Sequence, residues 1–275
     1  RKMREGSYSH RAEVGGNDEI SELAAEFNDM ADRLQTIEDA RRRFVSDASH
    51  ELKTPLAGIR LLSDSILQTQ DMDAQTVREF VGDIEQESER LARITENLLR
   101  LTRLDSGLLP EAQRVDLSPV VARVARMLRL VAEEKKVDLS YEVRREGQTL
   151  ASEDEIHEII YNLTENAIKY NHPGGFVKLA LAGDEDNCLL TVSDDGIGIP
   201  EEDMPRIFDR FYRVDKMRSR AAGGTGLGLS IAQAIAQTHG GSVWAESDGG
   251  VNTFFAELPV LSGHEKRQET AKKGI

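Results

Sequence analysis

Apolar residues step through the first quarter of the chain at intervals of three and four, and this periodicity constrains the fold more than any other feature. The series Ile20, Leu23, Phe27, Met30, Leu34, Ile37 alternates the two steps without a break, the pattern that holds one stripe of a helix against a partner helix. The stripe runs on through Phe44, Ala48, Leu52, Pro55, Ile59, Leu62 and Ile66. Two four-residue steps fall in succession at Phe44, Ala48 and Leu52, a phase shift that locally unwinds a coiled coil. They bracket His50, which lies two positions past Ala48 and so about 200° around the helix from the stripe. The histidine is therefore predicted to be exposed. Pro55 has no N–H for the carbonyl of Glu51 and its ring crowds that carbonyl, so a bend is predicted just after the histidine. Thr54, four residues on, shares the histidine's face, while Glu51, about 100° round, needs its long side chain to reach the ring.

Asp18 is placed to cap this helix. The polar break Thr69 to Gln75 predicts a turn, and a second amphipathic helix follows with Val77, Phe80, Ile84, Leu91, Ile94, Leu98 and Leu101. Two helices joined by a short loop make an antiparallel hairpin. A lone hairpin leaves both stripes wet, so two chains are expected to pair into a four-helix bundle. Packing of the stripes on the downstream domain is the alternative.

Ser106 to Pro119, with Gly107, Pro110 and Pro119, reads as a linker. Beyond it the pattern is mixed: helices near 118–135 and 153–169 and from Leu227, and strands near 139–143, 177–182, 189–192, 242–246 and 253–258. Strands and helices do not alternate strictly, which predicts an α+β layer, one sheet with helices on one face. The polar tail from Ser262 is expected to be disordered.

The 275 residues suffice for about two domains, and 39% hydrophobic with 31% charged residues is a globular balance. A net charge of −14 argues against duplex DNA or an anionic membrane surface as a direct partner. The single cysteine, Cys188, excludes an intramolecular disulfide and sits in an apolar run that predicts a buried strand. No run approaches the roughly 18 apolar residues of a membrane span, and no signal peptide is recognisable.

Three clusters in the second domain suit a nucleotide. Asn162, Asn166 and Lys169 fall on one helix face, and asparagine oxygens are hard donors suited to Mg²⁺, although an exposed polar stripe reads the same way. The run DDGIGIP, Asp194 to Pro200, follows a strand directly. Its glycines permit close backbone approach and its carboxylate can accept from an exocyclic amine, or the run is only a turn. The loop GGTGLGLSI, Gly223 to Ile231, opens a helix whose free N–H groups and dipole favour phosphate. It is not a Walker loop, and no Rossmann unit surrounds it.

With HELKTPL (His50 to Leu56), NLTENAIKY (Asn162 to Tyr170) and FDRFYRVD (Phe208 to Asp215), these runs resemble, in order, the H, N, G1, F and G2 boxes of sensor histidine kinases. GNDEISELAAEFNDM (Gly16 to Met30) resembles the second half of a HAMP signal-relay module, whose first helix is missing here. The resemblance implies a fold of two parts: an α-helical hairpin that dimerises into a four-helix bundle, then an α+β sandwich ATP-binding domain of GHKL type. The implied divisions are 1–37 for the HAMP half, 38–106 for dimerisation and histidine phosphotransfer, 107–117 for the linker, 118–261 for the catalytic domain and 262–275 for the tail.

The resemblance also implies roles. His50 is the phosphoacceptor, with Glu51 as the base on the imidazole's other nitrogen, and Thr54 aligns a water for dephosphorylating a partner. Asn166 is the principal Mg²⁺ ligand with Asn162 assisting, and Lys169 and Tyr170 contact phosphates or the nucleotide rim. Asp194 holds the adenine amine, with Gly196 and Gly198 permitting close approach, and Arg213 reaches the γ-phosphate. Gly224, Thr225, Gly226, Leu227 and Gly228 shape the phosphate loop, and Lys216 to Ala222 form a mobile lid. The implied activity is autophosphorylation of His50 by Mg²⁺-ATP within a homodimer, then transfer to an aspartate of a response regulator receiver domain. No nucleic acid is bound directly. The expected location is the cytoplasmic portion of a bacterial inner-membrane receptor, attached through a missing N-terminal part, and Arg1, Lys2 and Arg4 suit that side.

Two rival readings stand: a GHKL-type ATPase or serine kinase, which needs no exposed His-Glu pair on a dimeric bundle, and a non-catalytic scaffold that docks a regulator, which does not need all of Asn166, Asp194 and Arg213. His157, His172 and His239 lack metal-ligand spacing and read as solvated or core. Trp244, Phe254 and Phe255 read as core, and Arg41, Arg42 and Arg43 as a solvated helix face.

Overall fold

The computed structural model describes residues 10–12, 19–69, 71–107, 111–184, 186–214 and 224–260. Asp18, the lid segment 216–222, Gly223 and the tail from Ser262 lie outside them. The chain divides into two compact units, Arg1–Ser88 and Glu89–Ile275.

In the first unit, helix α1 (Glu19–Gln68) continues unbroken through Pro55. The stripe from Phe44 to Ile66 is half-buried, with Pro55 fully so, whereas the earlier seam is open: Ile20 is 75% and Leu23 71% exposed. What is covered in that earlier part is a different face. Asn28 pins the chain at Ala12 through a reciprocal pair, the Ala12 N–H donating to Asn28 Oδ1 at 2.7 Å and Asn28 Nδ2 to the Ala12 carbonyl at 3.0 Å. Arg42 pairs with Glu38 at 3.0 Å and Arg43 with the Asp39 carbonyl at 3.3 Å, so the arginine run lies on an exposed face. Asp73 caps helix α2 (Ala74–Asp105), accepting the N–H groups of Gln75 and Thr76 at 2.9 Å. These bonds and the Thr76 hydroxyl hold its carboxyl below the usual range. Helix α2 starts in the first unit and ends in the second, so the division falls inside a helix, well before the expected linker.

The second unit is one five-stranded sheet backed by helices. Strand β1 (Gln113–Asp116) leads into α3 (Leu117–Lys135), whose first turn Asp116 caps through the Ser118 N–H at 2.9 Å. Then follow β2 (Asp138–Val143), β3 (Gln148–Ala151), α4 (Glu153–Lys169), β4 (Phe176–Gly183) and β5 (Asn187–Asp194). A 3₁₀ turn (Met204–Arg206), α5 (Gly228–Thr238), β6 (Ser242–Asp248) and β7 (Val251–Pro259) complete it. The strand order is β2-β4-β5-β7-β6, with β2 parallel to β4 and the other pairs antiparallel.

Burial alternates strictly along β5 and β7, so one sheet face is buried and the other partly solvated. On the buried side α4 contributes Ile156, Ile159, Ile160, Leu163 and Ile168, each at most 1% exposed and each adding about 1.5–3 kcal/mol by burial. This is the α+β architecture expected. Two readings change. Residues 113–116, within the expected linker, form β1 and pair with β3, which the sequence did not predict; four residues are too short to display a period. Trp244 and Phe255 are half-buried rather than core: directly opposed across β6 and β7, they stack at 5.0 Å on the other face, while Phe254 points inward. Cys188 is buried in β5, which pushes its thiol up to about 11.

Candidate active site

The phosphoacceptor candidates lie on α1. His50 and Thr54 are exposed and Glu51 half-buried. The Thr54 hydroxyl donates to the His50 carbonyl at 3.2 Å, which fixes Thr54 on the turn that carries the histidine.

In the second unit, α4, the end of β5, the 207–214 segment and the start of α5 surround a cavity of about 780 Å³, within the range of small-ligand sites. One side is cationic. Lys169 and Arg213 both line it, and burial, seconded by repulsion from Arg213 and Lys135 against the opposing attraction of Glu165, holds the Lys169 ammonium down at about 8. Lys135 itself donates to the Lys169 carbonyl at 2.8 Å, which ties the end of α3 to the end of α4. Asn162 and Asn166 present amide groups from the same face of α4. A Cβ on Gly228 would lie 2.8 Å from Asn162 Oδ1, so a larger residue at the start of α5 would push the Asn162 amide aside.

Asp194 ends β5, lines the cavity and is only 2% exposed. Burial raises its pKa, opposed by hydrogen bonds from Asn252 Nδ2 at 2.9 Å and the Gly196 N–H at 3.0 Å. A Cβ on Gly196 would come within 2.6 Å of the Tyr170 carbonyl, so the loop after β5 can lie against α4 only with glycine there. Gly226 has φ +71 and its carbonyl accepts the Phe211 N–H at 2.8 Å, joining the stems of the two boxes on either side of residues 215–223.

Of the residues singled out in the sequence, Asn162, Asn166, Lys169, Tyr170, Asp194, Gly198, Arg213, Gly224, Thr225, Gly226 and Gly228 all line this cavity. Two do not: Gly196 is packed behind it, and the Leu227 side chain is wholly buried beside α5. Gly198 lines the cavity, but a Cβ there would meet only Ser247 Oγ at 3.9 Å, so packing does not require glycine. His50, Glu51 and Thr54 belong to the other unit. The sequence reading missed Asn252, which faces Asp194 from β7, and Asn97 of α2, whose amide lies 3.5 Å from Thr225 Oγ1. Only strand register would have found the first, and nothing in the local sequence marks the second.

A cavity whose wall carries the cations of Lys169 and Arg213, the amides of Asn162 and Asn166 and the buried carboxylate of Asp194 suits a polyanion bearing an amine-substituted base. Residues 151–262 match the family of histidine kinase-, DNA gyrase B- and HSP90-like ATPases, an ATP-binding class. Residues 40–107 match the His Kinase A phosphoacceptor domain, and residues 1–36 the HAMP domain. The chain is 34% identical over 261 residues to the sensor-like histidine kinase SenX3 of Mycolicibacterium smegmatis, covering 93% of this chain and 68% of that one. It therefore belongs to the sensor histidine kinases, the protein-histidine kinases of two-component signalling. Of other relatives it spans about half, 55% and 51% in two cases. Among solved structures, full-length ShkA in complex with AMPPNP is 25% identical with a TM-score of 0.60, over 80% of this chain and 46% of that one. ThkA in complex with the response regulator TrrA shares the fold at 20% identity and a TM-score of 0.64, over 83% and 66%.

Proposed function

We propose that this chain binds ATP in the cavity of its second unit, phosphorylates His50, and passes the phosphoryl group to an aspartate of a response regulator receiver domain. The observation that carries this reading is the convergence of Asn166, Lys169, Asp194 and Arg213 on one cavity, in a chain that also displays His50 on an exposed helix face. The AMPPNP complex of ShkA supports the nucleotide, and the TrrA complex of ThkA supports the partner.

The residues suit distinct parts of the substrate. Asp194 accepts the exocyclic amine of the base, and Lys169, Tyr170 and Arg213 line the path of the phosphates. A guanidinium offers planar paired donors to the transferring group. The donor set fits Mg²⁺: Asn166 and Asn162 supply neutral hard oxygens, and the remaining positions fall to phosphates and water. When bound, the ion neutralises charge between the phosphates. On the other unit, one ring nitrogen of His50 attacks the γ-phosphorus as the bond to the leaving ADP oxygen breaks, while Glu51 accepts from the other ring nitrogen as positive charge develops. Thr54, fixed one turn on, orients a water that hydrolyses the regulator's aspartyl phosphate, releasing inorganic phosphate.

The exposed seam from Ile20 to Ile37 is a surface that a second copy covers as a paired coil, and the hairpin stripes that follow it on α1 and α2 would complete the homodimer as a four-helix bundle. The match at residues 1–36 to a signal-relay domain supports attachment to a membrane receptor with the kinase on the cytoplasmic side; among the described residues no helix is long and apolar enough to cross a membrane. Incubation with γ-labelled ATP tests the reading. Acid-labile, base-stable label on the protein is expected, whereas acid-stable label would move the acceptor to a serine or threonine.

A further inference from the structure

The register of the sheet sets three polar side chains in one row across three strands. Asp194 of β5 is paired with Asn252 of β7, and Asn252 with Ser247 of β6. Residues directly opposed across antiparallel strands point to the same face, so the row runs from the cavity wall toward the edge strand β6, where Ser247 is half-buried. Asn252 is 3% exposed. Its amide is fully committed: Nδ2 donates to Asp194 Oδ1 at 2.9 Å and to the Ile197 carbonyl at 3.1 Å, while Oδ1 accepts from Ser247 Oγ at 2.8 Å. The Ile199 N–H in turn points to Ser247 Oγ at 3.5 Å. A flipped amide would set an oxygen against a carboxylate and a carbonyl, so one orientation is selected. The Gly196 N–H also goes to Asp194 Oδ1. Among the described residues no donor reaches Oδ2.

We propose that Asn252 is a positioning residue for the Asp194 carboxylate, fixing which oxygen faces the nucleobase and thereby selecting a base that carries an exocyclic amine, with Ser247 as the outer member of the row. The proposal rests on the reading of the cavity as an ATP site and goes beyond it, because the selectivity is assigned to a second residue of the wall, Asn252, acting through its hydrogen bond to the Asp194 carboxylate. An ionised carboxylate accepts from the 6-amino group of adenine and repels the 6-oxo group of inosine; a protonated one donates to the oxo group instead. Burial and the neighbouring Asp195 carboxylate push Asp194 toward the protonated form, and the Asn252 and Gly196 donors oppose them. From β6 and β7 the facing groups are Ser247 and Asn252, which do not titrate. The other titratable or charged groups of the cavity wall are Arg93 and Glu96 on α2, Lys135 on α3, Tyr161, Glu165 and Lys169 on α4, Tyr170 at its end, and Tyr212 and Arg213 in the 207–214 segment. Lys169 titrates near 8, but it acts on phosphates common to both nucleotides, so the ratio of two affinities isolates the base.

The test is to measure binding of Mg²⁺-ATP and Mg²⁺-ITP to the whole chain, by displacement of a fluorescent ATP analogue, from about pH 8.5 down to about pH 6. In Asn252→Leu the preference for ATP over ITP is expected to fall at least about tenfold, and to fall further toward acid as Asp194 takes up its proton. Ser247→Ala, which leaves the core side chains in place, is expected to move the ratio in the same direction by about threefold. Equal weakening of both nucleotides in these variants, with a ratio independent of pH, would overturn the role of Asn252. Asp194→Asn serves as the reference: if it leaves ATP binding and the ratio unchanged, the base pocket itself is misassigned and the proposal fails with it.

Discussion

The two units carry their chemistry in opposite ways. The helical unit presents His50 and Thr54 to solvent on a face whose neighbours are also exposed, and its long apolar seam stands open. The sheet unit draws two charged groups of its cavity out of solvent, Asp194 wholly and Lys169 in part, and burial moves their protonation: Lys169 down to about 8 and Asp194 upward. An acceptor in the role proposed for His50 would have to stay accessible to a nucleotide and a receiver domain, whereas a site that grips one small polyanion works best with little water around its charges. The contrast says where substitutions should act on chemistry and where on assembly.

The largest effect should come from the buried unit. Asn166→Ala is expected to lower autophosphorylation at least about a hundredfold, measured by initial labelling rate with folding checked by circular dichroism; near-normal labelling would remove Asn166 from the ion site. In the helical unit, Leu34→Glu places a charge in the seam and is expected to raise the dimer dissociation constant at least about tenfold, read by analytical ultracentrifugation. A monomeric parent, or an undisturbed dimer, would assign the seam to something other than a second copy.

Lys169 gives a pH signature. Its ammonium is partly deprotonated in the free protein near pH 8, and a bound triphosphate favours the charged form. Binding above that pH must therefore take up a proton, and ATP affinity should fall as pH rises, by up to about tenfold per unit. Lys169→Met should bind more weakly and with a flatter profile, in calorimetry repeated in buffers of different ionisation heat. A profile unchanged by the substitution would place the titrating group elsewhere. The smallest expected effect is that of Thr54→Ala: labelling within about twofold of the parent, with removal of phosphate from the regulator slowed about tenfold or more. Equal losses in both reactions would undo the division of labour within that turn.

Much of both units was legible in the sequence for different reasons. The helical unit declares itself by period, because a stripe repeating over many turns leaves a long signal, and His50 could be placed off that stripe by angle alone. The nucleotide cavity declares itself by local runs, since α4, the turn after β5 and the start of α5 each bring contiguous residues to the wall. What escaped depends on pairing between distant segments. β1 and β3 are four residues each and exist through each other. Asn252 becomes a site residue only because register sets it opposite Asp194, and Trp244 with Phe255 form an outer stack for the same reason. Leu227 shows the converse limit: the glycine-rich run marked a loop that lines the cavity, but not which of its side chains turns inward.

The central claim is that the buried nucleotide site serves the exposed histidine. His50→Gln should abolish acid-labile labelling from γ-labelled ATP while leaving the affinity for a fluorescent ATP analogue within about twofold of the parent, because the histidine lies outside the cavity. Persistent acid-labile label in that variant would contradict the account.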